Sequence, residues 1–236
     1  MSMKHQTIVL VIAVIIMSNY KVVEKFVSIN GEGARAGQLA VFIRFYGCNL
    51  HCSYCDTLYA SDPQAAYELM SATDILAYID QQLVTNVTLT GGEPLLQKDL
   101  NVLIKLLLKH GYQVEIETNG SIDIQPFISE GRPFFTLDYK VYSSKMENYM
   151  NLNNYQYLTK NDVVKFVVGK IEDLDQARNI IEQYDLNNRV QVFFSPIFGM
   201  IDPATIVDYM LKYHLNQVKL QLQLHKFIWD VNARGV

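Results

Sequence analysis

The chain has 236 residues, half of them apolar, and a formal net charge of −4. This length is enough for one domain with a sizeable core of its own. The mildly acidic composition excludes a surface built on a large basic excess, which is typical of nucleic-acid-binding proteins. We therefore expect a globular protein with a small-molecule substrate and with no nucleic-acid or membrane partner.

Residues 1–19 form an apolar N-terminal extension. Within it, Ile8–Met17 is an uninterrupted run of ten apolar residues, far short of the roughly 20 that a membrane-spanning helix requires. Three interpretations are open: Met17 is the true start and residues 1–16 lie upstream of it, the run packs as an N-terminal strand, or it is a targeting segment. We favour the first, and we predict a single core domain over residues 20–236.

Beyond Lys21, strand patterns alternate with amphipathic helical patterns. Strands are predicted at Leu39–Phe45, Asn86–Leu89, Gln113–Glu117, Phe134–Asp138, Asp162–Val168, Arg189–Phe194 and Gln217–Leu224. Apolar stripes of helical period cover Leu100–Leu108, Leu174–Tyr184 and Ile206–Tyr213. Such alternation implies parallel strands joined by right-handed crossovers. The predicted fold is α/β, a partial or modified (β/α) barrel in a single domain.

The only three cysteines of the chain, Cys48, Cys52 and Cys55, lie within eight residues. Three thiolates in this C-x3-C-x2-C spacing can hold three irons of a 4Fe–4S cluster and leave the fourth iron open. An open iron suits S-adenosylmethionine (SAM), which can be cleaved reductively to start radical chemistry. A zinc site completed by His51 and unconnected thiols are the alternatives, although zinc sites favour cysteine pairs separated by a longer loop. Free thiols also fit a reducing cytoplasm.

Polar and glycine-rich segments follow several of the predicted strands. They are Thr90–Pro94, Glu117–Gly120, Asp138–Lys140 and Ser195–Pro196. In parallel α/β barrels the active site is built from such segments at the carboxyl ends of the strands. The cysteine loop follows the strand Leu39–Phe45, so the sequence predicts that these segments meet around it.

Several motifs together resemble the 7-carboxy-7-deazaguanine synthase family of radical SAM enzymes. They are Phe26–Gly33, Phe42–Phe45, Gly47–Leu50, Cys55–Thr57, Thr90–Pro94, Glu117–Gly120 and Leu222–Lys226. The resemblance covers essentially all of residues 20–236. It implies a lyase that converts 6-carboxy-5,6,7,8-tetrahydropterin to 7-carboxy-7-deazaguanine with loss of ammonia, toward queuosine and related 7-deazapurines.

The resemblance also implies roles for individual residues. Cys48, Cys52 and Cys55 would hold the cluster. Tyr54, Asp56, Gly92, Glu93, Glu117, Asn119, Asp138, Lys140 and Ser195 would surround SAM. Ile29, Asn30, Gly31, Arg44, Thr90, His225 and the terminal carboxylate of Val236 would contact the pterin. Arg44, Glu32 and Thr90 would act at the reacting part of the substrate, and Thr57 would ligate Mg²⁺.

Simpler readings exist for three of these residues. Arg44 could pair with an acid on the surface, Thr57 could cap a helix, and His225 could be a core histidine. Asn30 stands where the family usually has Gln. A glycyl-radical enzyme activase has the same cysteine spacing, and a zinc-stabilised binding module is a third possibility. The resemblance further implies a flavodoxin- or ferredoxin-type electron donor and a homodimer.

Overall fold

A computed structural model of the chain describes residues 19–128 and 131–236. The interpretation of residues 1–16 as an upstream extension lies outside the described residues and stays a prediction. The first described strand begins at Asn19, just before the predicted start of the core domain. Its second residue, Tyr20, is fully buried, so the packed structure reaches to this end of the described range.

The described residues form one nine-stranded sheet with the order β3-β1-β2-β4-β5-β6-β7-β8-β9. The strands are β1 (Asn19–Ile29), β2 (Leu39–Phe45), β3 (Glu68–Ser71), β4 (Asn86–Gly91), β5 (Gln113–Thr118), β6 (Phe134–Tyr139), β7 (Val163–Val168), β8 (Gln191–Pro196) and β9 (Val218–Leu220). From β2 through β9 the neighbouring strands are parallel. The predicted α/β partial barrel is confirmed.

Two strands were not predicted. Both β1 and β3 are antiparallel to their neighbours at the β2 edge of the sheet. A register shift between Val22 and Glu24 interrupts the alternation of β1, as a β-bulge does, and this hides the strand from a search for strict period two. The strand predicted at Gln217–Leu224 is too long. β9 ends at Leu220, and the next side chain, Gln221, bonds both the N–H and the C=O of Gly33.

The longer helices between the strands pack on the apolar face of the sheet, and the chain has seven α-helices within the described ranges. They are α1 (Leu58–Ser61), α2 (Ala72–Gln82), α3 (Leu100–Lys109), α4 (Ile171–Gln183), α5 (Leu186–Arg189), α6 (Pro203–Lys212) and α7 (His225–Ile228). Short 3-10 turns occur at Pro94–Leu96, Gln125–Phe127, Tyr142–Ser144, Glu147–Tyr149 and Leu152–Tyr157. No helix within the described ranges is long and apolar enough to span a membrane.

The strands alternate between an apolar and a polar face. The apolar face packs against the helices and includes Ile43, Leu89, Ile116, Leu137, Phe166 and Phe194, all at most 2% exposed. The other face, called the polar face below, carries Thr88, Thr90, Glu115, Glu117, Thr136, Asp138, Lys165 and Ser195. Parallel strands that are covered on both faces usually read as continuous apolar runs. Here only one face of each strand is apolar, and the other carries charged and hydroxyl side chains. These side chains mark the polar face as the place of the candidate site.

Candidate active site

The cysteine loop follows β2 and is held by neighbouring segments. The backbone N–H of Ser53 donates to Ser144 O at 3.2 Å, and its hydroxyl donates to Ser143 O. Asn119, at the end of β5, donates from Nδ2 to Cys48 Sγ at 3.6 Å and to Asn49 Oδ1 at 3.0 Å. The three cysteines are free thiols and half-buried. A loop that is fixed by hydrogen bonds to neighbouring segments and carries three unpaired thiols fits a three-thiolate cluster site.

Burial changes the acidity of these thiols. Burial raises the pKa of Cys48, and the carboxylate of Glu93 adds to the rise. Burial also raises the pKa of Cys52, against the opposing effect of the Lys140 ammonium. Because thiolates are the metal ligands, cluster binding must release these protons.

The arrangement does not suit a single zinc ion. Among the described residues, no group of three or more His, Cys, Asp or Glu side chains is placed to hold one metal ion, and His51 is exposed. Cysteines of a cubane cluster bind different irons, so their sulfur atoms need not converge on one point. The donor set therefore favours the cluster interpretation.

The glycine turn after β4 packs directly on the cysteine loop. Glu93 N donates to Gly47 O at 2.8 Å, and Gly92 N donates to Phe45 O at 3.2 Å. A Cβ at Gly91 would lie 2.3 Å from Phe45 O, and one at Gly92 would lie 2.3 Å from Gly47 O. Only glycine permits this approach. The two motifs that were separate in the sequence are therefore one structural unit.

Glu93 is buried completely and joins the glycine turn to the end of β5. Its Oε1 accepts from Leu95 N at 3.0 Å and from Thr118 Oγ1 at 2.9 Å, and its Oε2 accepts from Asn119 N at 2.7 Å. Burial raises its pKa to about 7, while these hydrogen bonds oppose the rise. The predicted contact of Glu93 with SAM is not tested by these bonds and stays a prediction.

A buried ionic network crosses the polar face. Lys140 Nζ lies 2.8 Å from Asp138 Oδ2, and Lys165 Nζ lies 3.2 Å from Asp138 Oδ1 and 3.2 Å from Glu32 Oε2. Ser195 Oγ donates to Glu32 Oε1 at 2.9 Å. The structure thus brings together four residues that the sequence predicted, and it adds Lys165.

The network fixes its own charge states. Burial alone would lower the pKa of Lys140, but Asp138 outweighs it and the pKa lies above its ordinary value. The pKa of Lys165 is raised in the same way, against burial, by Asp138 and Glu32. Burial would raise the pKa of Asp138, but the two lysines lower it. Both ammonium groups and this carboxylate therefore stay ionised at neutral pH.

Tyr54 lies beside this network with a buried hydroxyl. Burial raises its pKa above the ordinary value, and Lys140 opposes the rise. Within the described residues the hydroxyl has no hydrogen-bond partner. A buried polar atom without a partner marks a place where a ligand or water completes the site, which agrees with the predicted SAM contact without testing it.

Other predicted substrate residues line the polar face below the network. Thr90 Oγ1 donates to Glu117 Oε2 at 2.8 Å, and Thr88 Oγ1 donates to Asn30 Oδ1 at 2.9 Å. Asn30 is 2% exposed, and its Nδ2 lacks a partner among the described residues. Burial raises the pKa of Glu117, with Lys165 opposing. Thr90 and Glu117 are paired, whereas Asn30 keeps a free buried donor.

Arg44 and Thr57 flank the cysteine loop. Arg44 Nε donates to Glu24 Oε2 at 3.0 Å, and Tyr59 OH donates to the same oxygen at 2.9 Å. This is the only hydrogen bond of the Arg44 side chain within the described ranges, so its two Nη groups keep their donors. Thr57 occupies the N-cap of α1 but makes no side-chain cap bond, and its Oγ1 lies 3.7 Å from Cys55 Sγ.

The C-terminal segment returns to the loop after β1. A Cβ at Gly31 would lie 2.1 Å from His225 Nδ1, and Leu224 N donates to Gly31 O at 3.1 Å. Lys226 Nζ pairs with Asp56 Oδ2 at 3.3 Å. The predicted substrate residues Gly31 and His225 are therefore in direct contact. Burial lowers the pKa of His225, against the opposing charge of Glu32.

The final residues lie along β1. The Arg234 guanidinium stacks 3.7 Å from the centre of the Tyr59 ring, and Gly235 lies against Phe26. A cavity of about 580 Å³ opens here between β1, residues 66–68 and the tail, and includes Glu24. A chain of contacts through Tyr59 and Glu24 therefore links Arg234 to Arg44.

Half-buried Ile29 lies at the end of β1. The roles of Ile29 and of the Val236 carboxylate stay predictions.

Sequence reasoning missed Lys165, Glu115 and Glu24. Lys165 stands inside the apolar run Val163–Val168, and Glu115 stands on β5 two positions before Glu117. A charged residue within a predicted central strand could have identified Lys165 and Glu115 as site residues. Such a charge is rarely buried without a partner of opposite sign. Glu24 could not be assigned to a face, because the bulge in β1 was not visible in the sequence.

We predict that Gly92→Ala prevents full cluster loading. The new Cβ would collide with Gly47 O, so the cysteine loop has to move. Iron and sulfide per chain after anaerobic reconstitution should fall well below those of the wild type. Gly169→Ala is the matched control, since its Cβ would meet side-chain ends of Ile197, Met200 and Ser143 and no backbone atom among its three nearest neighbours. Equal iron content in Gly92→Ala and the wild type would contradict the prediction.

We predict that Glu115 makes the cluster-free protein less stable as the pH rises. Burial, with a contribution from Glu117, raises the pKa of Glu115 from 4.5 to about 7. A carboxyl group that binds its proton more tightly when folded contributes stability below pH 4.5, which is lost as the pH rises through about 7.

The unfolding free energy of the wild type should fall between pH 4.5 and pH 7. In Glu115→Gln this fall should be smaller by on the order of 1–3 kcal/mol. The remaining acceptor can keep the bond from Thr136 to Glu115 Oε1. Anaerobic urea denaturation at both pH values measures the effect, with exposed Glu182→Gln as control. An unchanged pH dependence in Glu115→Gln would show that this carboxyl group does not titrate in that range.

Comparison with known proteins agrees with this geometry. Residues 42–157 match the family model of the Radical SAM superfamily. A 7-carboxy-7-deazaguanine synthase from Clostridium acetobutylicum is 53% identical over 92% of this chain and 100% of its own length. Another, from Methanospirillum hungatei, is 40% identical over 89% of this chain and 86% of its own length.

A solved structure supports the fold. The crystal structure of QueE from Escherichia coli superposes with a TM-score of 0.67 at 23% identity, and the match covers 87% of this chain and 94% of that one. The identities to the two synthases confirm the resemblance inferred from the motifs. The chain belongs to the 7-carboxy-7-deazaguanine synthase family of the Radical SAM superfamily.

Proposed function

We propose that the chain converts 6-carboxy-5,6,7,8-tetrahydropterin to 7-carboxy-7-deazaguanine with loss of ammonia. The observation that carries this proposal is the packing of the cysteine loop, through Gly92 and Asn119, onto a buried polar face that holds paired carboxylates. Membership in the superfamily implies a 4Fe–4S cluster and SAM. When bound, they supply the one-electron cleavage that produces the hydrogen-abstracting radical.

The charge balance of the polar face suits both ligands. The carboxyl groups of Glu32, Glu117 and Asp138 outnumber the ammonium groups of Lys140 and Lys165. A buried excess of acceptors favours ligands that bring N–H donors, and charge-assisted hydrogen bonds are among the stronger ones. The amine nitrogens of a pterin and the ammonium group of SAM meet this requirement.

Arg44 is the proposed partner of the substrate carboxylate. Glu24, which also accepts from the Tyr59 hydroxyl, holds its Nε side in place, and its Nη groups remain for a second carboxylate. A guanidinium fixed on one side is well suited to bidentate binding on another. The predicted contacts of Ile29, Asn30, Gly31, Thr90, His225 and Val236 with the pterin belong to the same proposal.

Mg²⁺ at Thr57 is a further part of the proposal. The Thr57 hydroxyl is not used in capping α1, and it lies beside Cys55 at the edge of the cysteine loop. Mg²⁺ keeps several waters and accepts a small number of protein oxygens together with substrate oxygens. One hydroxyl with the substrate carboxylate would satisfy that pattern.

Partners and location complete the proposal. A flavodoxin- or ferredoxin-type protein would supply the electron, the chain would act as a homodimer, and a reducing cytoplasm would keep the three free thiols reduced. A glycyl-radical enzyme activase is not favoured, because the relatives of highest identity reported above carry the synthase name.

We predict that the anaerobically reconstituted enzyme forms product, and that Arg44→Ala loses on the order of 2–4 kcal/mol of transition-state stabilisation, because the substrate carboxylate loses its charged partner. Mass spectrometry of the product and kcat/KM for the pterin measure both. Glu24→Gln is the matched control, since it weakens the Arg44–Glu24 pair and keeps the guanidinium. If Glu24→Gln reproduces the whole loss, the role of Arg44 is only to pair with Glu24.

We predict that turnover rises with Mg²⁺ and that Thr57→Ala weakens this dependence. The reason is the loss of the proposed protein ligand to the ion. Turnover is measured against Mg²⁺ concentration at equal iron content, with Thr57→Ser, which keeps the hydroxyl, as control. Superimposable titration curves for Thr57→Ala and the wild type would remove Thr57 from the proposed metal site.

A further inference from the structure

Lys165 is a buried cation that none of the predicted roles uses. It lies in the middle of β7, between apolar neighbours, and is 7% exposed. Burying an ammonium group is costly unless carboxylates compensate it. Here the compensation comes from two carboxylates in different parts of the site, Glu32 and Asp138.

The geometry makes Lys165 a bridge between two sites. One nitrogen, Nζ, lies 3.2 Å from Glu32 Oε2 and 3.2 Å from Asp138 Oδ1. Glu32 is predicted to act at the reacting part of the pterin, whereas Asp138 belongs to the proposed SAM site. The bridge therefore joins the substrate side to the cofactor side through a single atom.

The two carboxylates differ in how firmly the backbone holds them. Asp138 and Lys165 are direct partners in the parallel pairing of β6 and β7, so the sheet fixes their separation. Glu32 lies in the loop between β1 and β2. Its carboxylate is oriented by side chains from β7, β8 and the segment after β9, namely Lys165, Ser195 and Gln223.

We propose that Lys165 is a positioning residue that fixes the Glu32 carboxylate relative to Asp138, and so sets the pterin against SAM. The proposal rests on the proposed function. Lys165 already has two acceptors of its own, so its role is to act through these carboxylates. Hydrogen abstraction requires the reacting atoms within a narrow range of separation, and small displacements reduce the rate strongly.

The expected consequence is a loss of coupling between SAM cleavage and product formation. Without Lys165, Glu32 keeps Ser195 and Gln223 but loses its charged partner, and Asp138 keeps Lys140. SAM would still bind and be cleaved, while the pterin would be held less accurately. More 5′-deoxyadenosine should then accumulate per molecule of product.

The test compares Lys165→Gln, Lys165→Arg and wild type, all reconstituted to equal iron content. We expect Lys165→Gln to lower kcat/KM for the pterin by about tenfold to a hundredfold, the range for loss of a charge-assisted hydrogen bond. The ratio of 5′-deoxyadenosine to product should rise together with this loss. Lys165→Arg keeps the charge and should recover part of the coupling. Lys219→Gln, at an exposed lysine of β9 that bonds Gln191, is the matched control.

The outcomes separate the two proposals. If the wild type forms no product from the pterin, the proposed function fails. If the wild type turns over and Lys165→Gln lowers only the melting temperature, with kcat/KM and the 5′-deoxyadenosine ratio unchanged, Lys165 is structural and the inference is overturned. Should Lys165→Gln fail to fold, Lys165→Arg decides, because a guanidinium cannot reproduce a single nitrogen shared by both carboxylates. Full wild-type coupling in Lys165→Arg would then overturn the inference.

Discussion

The burial of charge on one face of a parallel sheet is the constraint on which the rest of this structure depends. The strands carry Asp138 and Lys165 where such sheets usually carry apolar side chains. Each buried charge requires a partner of opposite sign, since an unpaired charge in the interior costs several kcal/mol. That requirement draws the loop after β1 across the polar face, because this loop supplies Glu32, the second carboxylate of Lys165. The need to pair Lys165 therefore helps to determine where the loop after β1 runs.

A second constraint, close backbone contact, ties this face to the cysteine loop. Gly91 and Gly92 allow the turn after β4 to rest on Phe45 and Gly47 without side chains between them. Glu93 then connects the same turn to the end of β5, where Asn119 donates to Cys48. The proposed cluster site is thus fixed by backbone contacts that continue into the sheet. A tightly held site of this kind suits radical chemistry, in which the position of the reacting atoms decides between product and side reaction.

The two halves of the site also differ in electrostatic character. Near Cys52 and Tyr54 the Lys140 ammonium is the charge that opposes the effect of burial most strongly, although burial still raises the pKa of both side chains. Further down the polar face, burial raises the pKa values of Glu115 and Glu117, and the charge of Glu117 adds to the rise at Glu115. Ligands that bring N–H donors would stabilise the ionised form of these carboxyl groups. The fold therefore separates a region beside the thiols that contains a buried ammonium group from a region of buried carboxyl groups beneath it. Such a division matches a reaction that needs thiolate ligands and a nitrogen-rich substrate.

Local sequence was sufficient for much of this description. The spacing of Cys48, Cys52 and Cys55 and the alternation of strands and helices are properties of short segments, so they could be read without the fold. What only the tertiary structure decided was pairing: Arg44 with Glu24, Gly31 with His225, Gly92 with Gly47, and Lys165 with two carboxylates. These partners are far apart in the chain, and a bulge in β1 changes which of its side chains face the site. A sequence specifies which residues can carry charge or approach closely, whereas the packing of the sheet determines which of them meet, because burial leaves each charge with few possible partners.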